Sequence, residues 1–184
     1  MSNLSILNVS GNELTGPLPE LSGLQSLSAF IVSDNQLEGT IPALTDMPRL
    51  ETFFVRNNGL SGSLPDLSDV PGLRFFAAGG GPLTGNIPDL SGLSDLVLFE
   101  VRDSQVSGEI PSLAGLSSLV TFDVSNNRLT GELPELSDAP TLFLFAAEGN
   151  ALVGSIPSLT GMSQLESIRL ADNALDGPVP PIGD

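Results

Sequence analysis

The sequence contains no cysteine, histidine, lysine, tryptophan or tyrosine, and its six basic residues are all arginine. Without cysteine or histidine there is no disulfide, no thiol nucleophile, no imidazole base and no thiolate or imidazole metal ligand. Without lysine there is no Schiff base and no lysine of the phosphate-binding-loop type. Against the arginines stand 22 acidic residues, for a formal charge of −16 over 184 residues. Such a surface repels phosphate backbones and anionic lipid, so neither nucleic acid nor a membrane surface is an expected partner. No apolar run approaches the ~18 residues of a membrane-spanning helix. The opening segment from Met1 to Val9 has neither the basic flank nor the continuous apolar stretch of a secretion signal.

Composition alone points toward disorder, because 20 glycines and 15 prolines sit among many serines. Yet 40% of the residues are hydrophobic and the mean hydropathy is +0.22, more than an acidic disordered chain carries. Periodicity decides for a folded solenoid. Leucine recurs every 23 residues, at Leu4, Leu27, Leu50, Leu73, Leu96, Leu119, Leu142 and Leu165. Counting that leucine as position 1, position 4 is Leu7, Phe in the next six repeats, and Ile168. An aliphatic residue or alanine follows at position 6, Asn at position 9 in six repeats, Leu or Val at position 11, Gly at position 13, and an aliphatic–Pro pair closes the turn. Eight repeats tile residues 1–184 as a single array with no linker, and a fixed period of this length reads as a stacked solenoid.

Each position has a physical task. The Leu-x-x-Phe-x-Val segment alternates with period two, which predicts a short strand with one buried face. Stacked strands form a parallel sheet at roughly 4.8 Å per repeat. The six phenylalanines at position 4 should stack as a spine, each buried ring contributing about 1.5–3 kcal/mol. The asparagine amide is expected to bond backbone groups of its own and the neighbouring turn. Glycine permits a close backbone approach, and proline prevents the return segment from forming a full helix. The fold expected is an α/β-type repeat solenoid: a right-handed horseshoe with a parallel concave sheet and mostly 3₁₀ or extended turns on the convex side. A three-repeat unit of 69 residues also looks duplicated, since Phe75-Phe-Ala-Ala parallels Leu144-Phe-Ala-Ala and Asp69-Val-Pro71 parallels Asp138-Ala-Pro140.

The run Leu119-x-x-Phe-x-Val-Ser-x-Asn127-x-Leu-Thr-Gly131-x-Leu-Pro134 resembles the plant-type leucine-rich repeat of receptor-kinase ectodomains and polygalacturonase-inhibiting proteins. The resemblance covers residues 4–184. It departs in one respect: a single residue separates proline from the next leucine (Pro19-Glu-Leu21), where the family usually has two. It also lacks the cysteine-bearing caps that flank secreted members. The resemblance implies a recognition module at the cell surface or outside the cell, the alternative being the cytoplasm. The sequons Asn3-Leu-Ser5 and Asn8-Val-Ser10 agree with secretion but are short.

On such a horseshoe, five positions per repeat face the concave side. The three phenylalanines outside the spine, Phe54, Phe75 and Phe143, all fall there, with Leu98 and other aliphatics. Core packing does not require them, and exposed apolar patches mark contact surfaces; the plainer alternative is that they shield neighbouring strand backbone. Arg56, Arg74, Arg102 and Arg169 share the face with eight acids, including Glu51, Glu100 and Asp123. Glu51 is expected to pair with Arg74 on the next repeat. The asparagine column breaks at Gly81 and Ser104, beside Phe75 and Arg102, which marks a reshaped turn as a candidate site.

The candidate ligand-binding set is therefore Phe54, Arg56, Arg74, Phe75, Leu98, Glu100, Arg102, Asp123 and Phe143, contacting a protein, peptide or glycan. Neither cofactor nor metal is expected. Glu100 and Asp123 occupy one column on adjacent strands, near the spacing of a retaining glycosidase pair, but an open sheet offers no pocket to desolvate them. A calcium site of Glu100, Asp103 and Asp123 lacks calcium-loop spacing. The column before each aliphatic–Pro pair is too mixed for an ice-binding ladder. The alternative function is structural: self-association as a homodimer through concave faces, or end to end through poorly covered terminal repeats.

Overall fold

The structure, a computed structural model, describes residues 3–182; Met1, Ser2, Gly183 and Asp184, the outermost residues of the expected array, lie outside them. Eight short strands, one per repeat, pair in chain order as one parallel sheet: Ile6–Asn8, Ala29–Ile31, Thr52–Phe54, Phe75–Gly79, Leu98–Arg102, Thr121–Asp123, Leu144–Ala146 and Ser167–Arg169. The register follows the 23-residue period throughout, so Phe30 lies opposite Phe53 and Phe122 opposite Phe145. Behind this sheet the position-4 rings stack, with centroids 5.4–5.7 Å apart and planes within 8–16° of parallel. All six are essentially inaccessible to solvent. Their end members, Leu7 and Ile168, are half-buried, because each has a neighbouring repeat on one side among the described residues.

A second set of strands was not foreseen. Thr15–Pro17, Gln36–Thr40, Gly59–Ser63 and Leu83–Thr84 form a four-stranded parallel sheet, continued by the bridge Asn86–Ser107 and by two further pairs. The Leu-x-Gly segments read as turns because glycine punctuates them. Here Gly16, Gly39 and Gly62 take φ of 78–87° and remain inside the ladder. The remaining convex segments are extended or turn, and the helix among the described residues is a single 3₁₀ turn, Leu136–Asp138.

The asparagine amides do the work assigned to them. Asn58 donates through Nδ2 to the carbonyls of Val32, Val55 and Arg56 at 3.1–3.2 Å, and its Oδ1 accepts from Leu37 N–H at 3.0 Å. Asn35, Asn127, Asn150 and Asn173 repeat the pattern. At the break, Ser104 Oγ reaches only Gly81 O at 2.9 Å and, weakly, Arg102 O at 3.4 Å. The triple-glycine turn packs hard against its neighbours: a Cβ on Gly79 would stand 2.2 Å from Arg102 O, and one on Gly81 2.5 Å from Asn58 O. Only glycine allows that approach. The inner strands of repeats 4 and 5 are consequently five residues long where the others have three.

Position 8, just past each inner strand, is left-handed in every repeat: Gly11, Asp34, Asn57, Gly80, Asp103, Asn126, Gly149 and Asp172 have φ between 52° and 68°. These are the residue types that tolerate the conformation. Their order, Gly-Asp-Asn repeated, has the same three-repeat period as the duplication. It also creates two equivalent cross-repeat bonds, Asn57 Nδ2 to Asp34 Oδ1 at 2.7 Å and Asn126 Nδ2 to Asp103 Oδ1 at 2.8 Å.

Candidate functional site

Positions 2, 3, 5, 7 and 8 of each repeat lie on the inner face of the sheet, some of them buried there, such as Ala77, Ala146, Ser33 and Ser125, and on this face the candidate residues separate into distinct groups. Arg56, Glu100 and Arg102 come together. Arg56 Nη1 lies 3.2 Å from Glu100 Oε1 and 3.4 Å from Oε2, and Arg102 Nε lies 3.2 Å from the same Oε1. Arg56 and Glu100 belong to repeats 3 and 5. At the intervening positions of repeat 4 stand Ala77 and Gly79, whose small size leaves the path open. Glu100 is thereby covered, its side chain 13% exposed, while the side chains of Arg56 and Arg102 remain 40% and 47% exposed. The hydrogen bond to Glu100 holds the Arg102 guanidinium above its usual pKa; partial burial opposes this, and the charges of Glu100, Asp103 and Asp123 reinforce it. Half-exposed pairs of this kind contribute at most about 1 kcal/mol each to stability. Their larger effect is to fix where the charges point.

The expected Glu51–Arg74 ion pair does not form. Their backbones are adjacent, Arg74 N–H donating to Glu51 O at 2.9 Å. The Arg74 guanidinium instead sits 5.4 Å from the centroid of the Phe75 ring. A cation over an aromatic face competes well with an exposed salt bridge, since both are worth under about 1 kcal/mol at a wet surface.

Phe54 and Phe75 are half-buried, and Leu98 lies beside Phe75 in the sheet. Phe143 stands apart, three repeats beyond Phe75 at the start of its strand, and is 43% exposed. Between them Val97 and Val120 occupy the same position as Phe143, with Val120 37% exposed. Asp123 lies opposite Glu100 in register and accepts the Ser125 N–H at 3.0 Å. Sequence reasoning missed the reach of Arg56 across two repeats, because it compared only adjacent ones. It also missed Ser33 and Ser125, buried serines at position 7 whose hydroxyls have no hydrogen-bond partner.

Glu100 is covered by its two arginines and Asp123 is half-buried, both on the face of the sheet and not in a cavity. Among the described residues, hollows of about 240–320 Å³ occur near the first and last repeats and along the strand-start edge, and neither carboxylate lines these. The trio Glu100, Asp103 and Asp123 is already engaged, by two arginines, by Asn126 and Arg102, and by a backbone amide respectively. Among the described residues no group of three carboxylates is arranged to hold a metal ion. No described helix is long and apolar enough to cross a membrane.

The Leucine Rich Repeat family model matches residues 3–25 and 118–138. No curated protein matches the chain. Among solved structures, the ectodomain of the plant membrane receptor kinase GASSHO1/SCHENGEN3 from Arabidopsis thaliana, in complex with Casparian strip integrity factor 2, is 35% identical with a TM-score of 0.90, covering 94% of this chain and 22% of that one. The Arabidopsis receptor kinase HAESA, in complex with the peptide hormone IDA and the co-receptor SERK1, is 31% identical with a TM-score of 0.89, covering 95% of this chain and 30% of that one. A plant ice-binding protein, 23% identical with a TM-score of 0.61 and covering 96% of this chain and 66% of that one, shares the fold alone. The chain thus spans about a fifth to a third of the receptor ectodomains it matches.

Proposed function

This chain is a plant-type leucine-rich-repeat protein, and we propose that it binds a protein or peptide ligand across its inner sheet, as a recognition module without catalysis of its own. The observation that carries this reading is the run of apolar side chains along that sheet: Val120 and Phe143 lie open to solvent in repeats 6 and 7, and Phe54, Phe75 and Leu98 are half-buried on repeats 3 to 5. Solvent-facing aromatic and aliphatic side chains in a row are the usual anchors of an interface. The neighbours in complex with a peptide hormone favour a peptide over a glycan. That those neighbours are receptor ectodomains supports an extracellular or cell-surface setting.

The test is selection from a displayed library of random peptides on the immobilised chain, followed by measurement with Phe75→Ser and Phe143→Ser variants whose circular dichroism is unchanged. Selected peptides should lose at least tenfold in affinity for one or both variants. Peptides that bind both variants like the parent would overturn the inner-sheet assignment. The same row supports self-association as a second reading, and light scattering from micromolar to near-millimolar concentration separates the two. A dimer abolished by Phe143→Ser would favour the second.

A further inference from the structure

The charges on the inner sheet divide sharply along the array. In repeats 3–5 the three arginines Arg56, Arg74 and Arg102 face three carboxylates, Glu51, Glu100 and Asp103, and this stretch is neutral. Glu100 lies within salt-bridge distance of two of those arginines, and Arg74 rests on Phe75. No arginine there is left as an isolated positive point. In repeats 6–8 the balance reverses. Arg169 is the one cation, against Asp123, Glu148, Glu166 and Asp172, leaving a net charge of −3. None of these four carboxylates has an arginine within 4 Å. Ser125, in the same stretch, has a buried hydroxyl with neither donor nor acceptor satisfied. The exposed apolar pair Val120 and Phe143 runs along this same acidic stretch.

We infer that repeats 5–8 of the inner sheet bind a basic amphipathic peptide segment in extended conformation. This rests on the proposed role of the inner sheet and adds the chemical class of the ligand and its place. Charge complementarity fixes the class: an acidic ligand would meet uncompensated carboxylates, whereas lysine or arginine side chains would be drawn to Asp123, Glu148 and Glu166. The dimensions suit an extended chain. Repeats 5 to 8 span three strand steps, about 14 Å at ~4.8 Å each, and same-side residues of an extended peptide repeat every ~6.8 Å. Two such intervals, a five-residue stretch, cover the span from Val97 in repeat 5 to Glu166 in repeat 8, and the side chains that face the sheet would meet Val120 and Phe143 together with the neighbouring carboxylates.

Peptides selected from the displayed random library give the readout. Their sequences should be enriched in lysine or arginine together with large apolar residues. Affinity should fall as sodium chloride is raised. The Glu148→Gln/Glu166→Gln double variant should bind roughly 2- to 30-fold more weakly, from two exposed pairs at up to about 1 kcal/mol each; both substitutions are isosteric at partly or fully exposed positions, and the thermal midpoint serves as the folding control. Peptides that are neutral or acidic yet lost on Phe143→Ser would overturn the basic class and leave the inner-sheet reading standing. Basic peptides indifferent to both Phe143→Ser and the double variant would overturn both, as would recovery of no peptide at all.

Discussion

Removing one asparagine amide does not cost the same at every repeat, and the hydrogen bonds say where it costs most. Replace Asn58 by alanine and four backbone groups lose a partner. Two keep another: Val32 O still accepts from Asn35, and Arg56 O still accepts from Asp34 N–H. Val55 O and Leu37 N–H keep none, because the next repeat carries Gly81 where an asparagine would also have served Val55. Asn150 is different. Its carbonyl partners Val124, Ala147 and Glu148 are also served by Asn127, Asn173 and the Asn126 N–H. Asn150→Ala therefore orphans only the Leu129 N–H. At about 1–3 kcal/mol for each buried group left unsatisfied, Asn58→Ala should cost ~2–6 kcal/mol and Asn150→Ala ~1–3 kcal/mol. Urea titration followed by far-ultraviolet circular dichroism measures both. Equal losses at the two sites, or a larger one at Asn150, would refute the accounting.

Three further outcomes are expected. Phe99, held between rings 5.4 Å away on either side and fully buried, should lose about 3–5 kcal/mol on replacement by alanine, read from the denaturation midpoint. Gly79→Ala should destabilise the array by several kcal/mol, since its Cβ would meet Arg102 O at 2.2 Å; Gly23→Ala, with φ of 80° but open space around it, should cost only the ~1–2 kcal/mol of a strained left-handed alanine. Asp66 and Asp89 are held below their ordinary value of 3.8, chiefly by the backbone N–H groups of Ser68 and Ser91. A folded-state value below the unfolded one gives stability that is complete above pH ~4 and lost as the pH falls through the lower folded value. The stability curves of the parent and an Asp66→Asn/Asp89→Asn variant should therefore separate above pH ~4 and converge in strong acid; curves that diverge on acidification would contradict this.

The spine, the asparagine bonds and the strand register were legible because each follows from one position repeated at a fixed interval. Phe30 through Phe145 need only the period and the hydrophobic effect. What escaped depended on relations that a column does not show. The outer sheet was hidden by glycines that ordinarily end strands. The Gly-Asp-Asn order at position 8 was present in the letters, and its meaning required knowing that the position is left-handed. Arg56 reaching Glu100 depends on two small residues between them, a three-body condition that adjacent-repeat comparison overlooks. Arg74 choosing Phe75 over Glu51 is a contest between two weak interactions of similar size, and that contest is settled by side-chain geometry alone.

The asparagine bonds also run in one direction. Leu14 N–H is met by Asn35, Leu37 by Asn58 and Leu129 by Asn150, always by an amide 21 residues further along the chain. Wherever the following repeat carries the asparagine, a repeat does not finish its own turn; the next one does. For a polypeptide emerging from a ribosome, this makes closure of the array a lagging process. Each turn waits for about one more repeat of synthesis before its last buried amide finds an acceptor. At Leu83, where Ser104 cannot supply the carbonyl, the N–H turns inward to Gly81 O at 2.8 Å, so this one turn closes without its successor. In the middle of the array one outer amide is thus met without waiting, while the inner strand of the same repeat, Phe75–Gly79, still takes its partners from the repeat that follows.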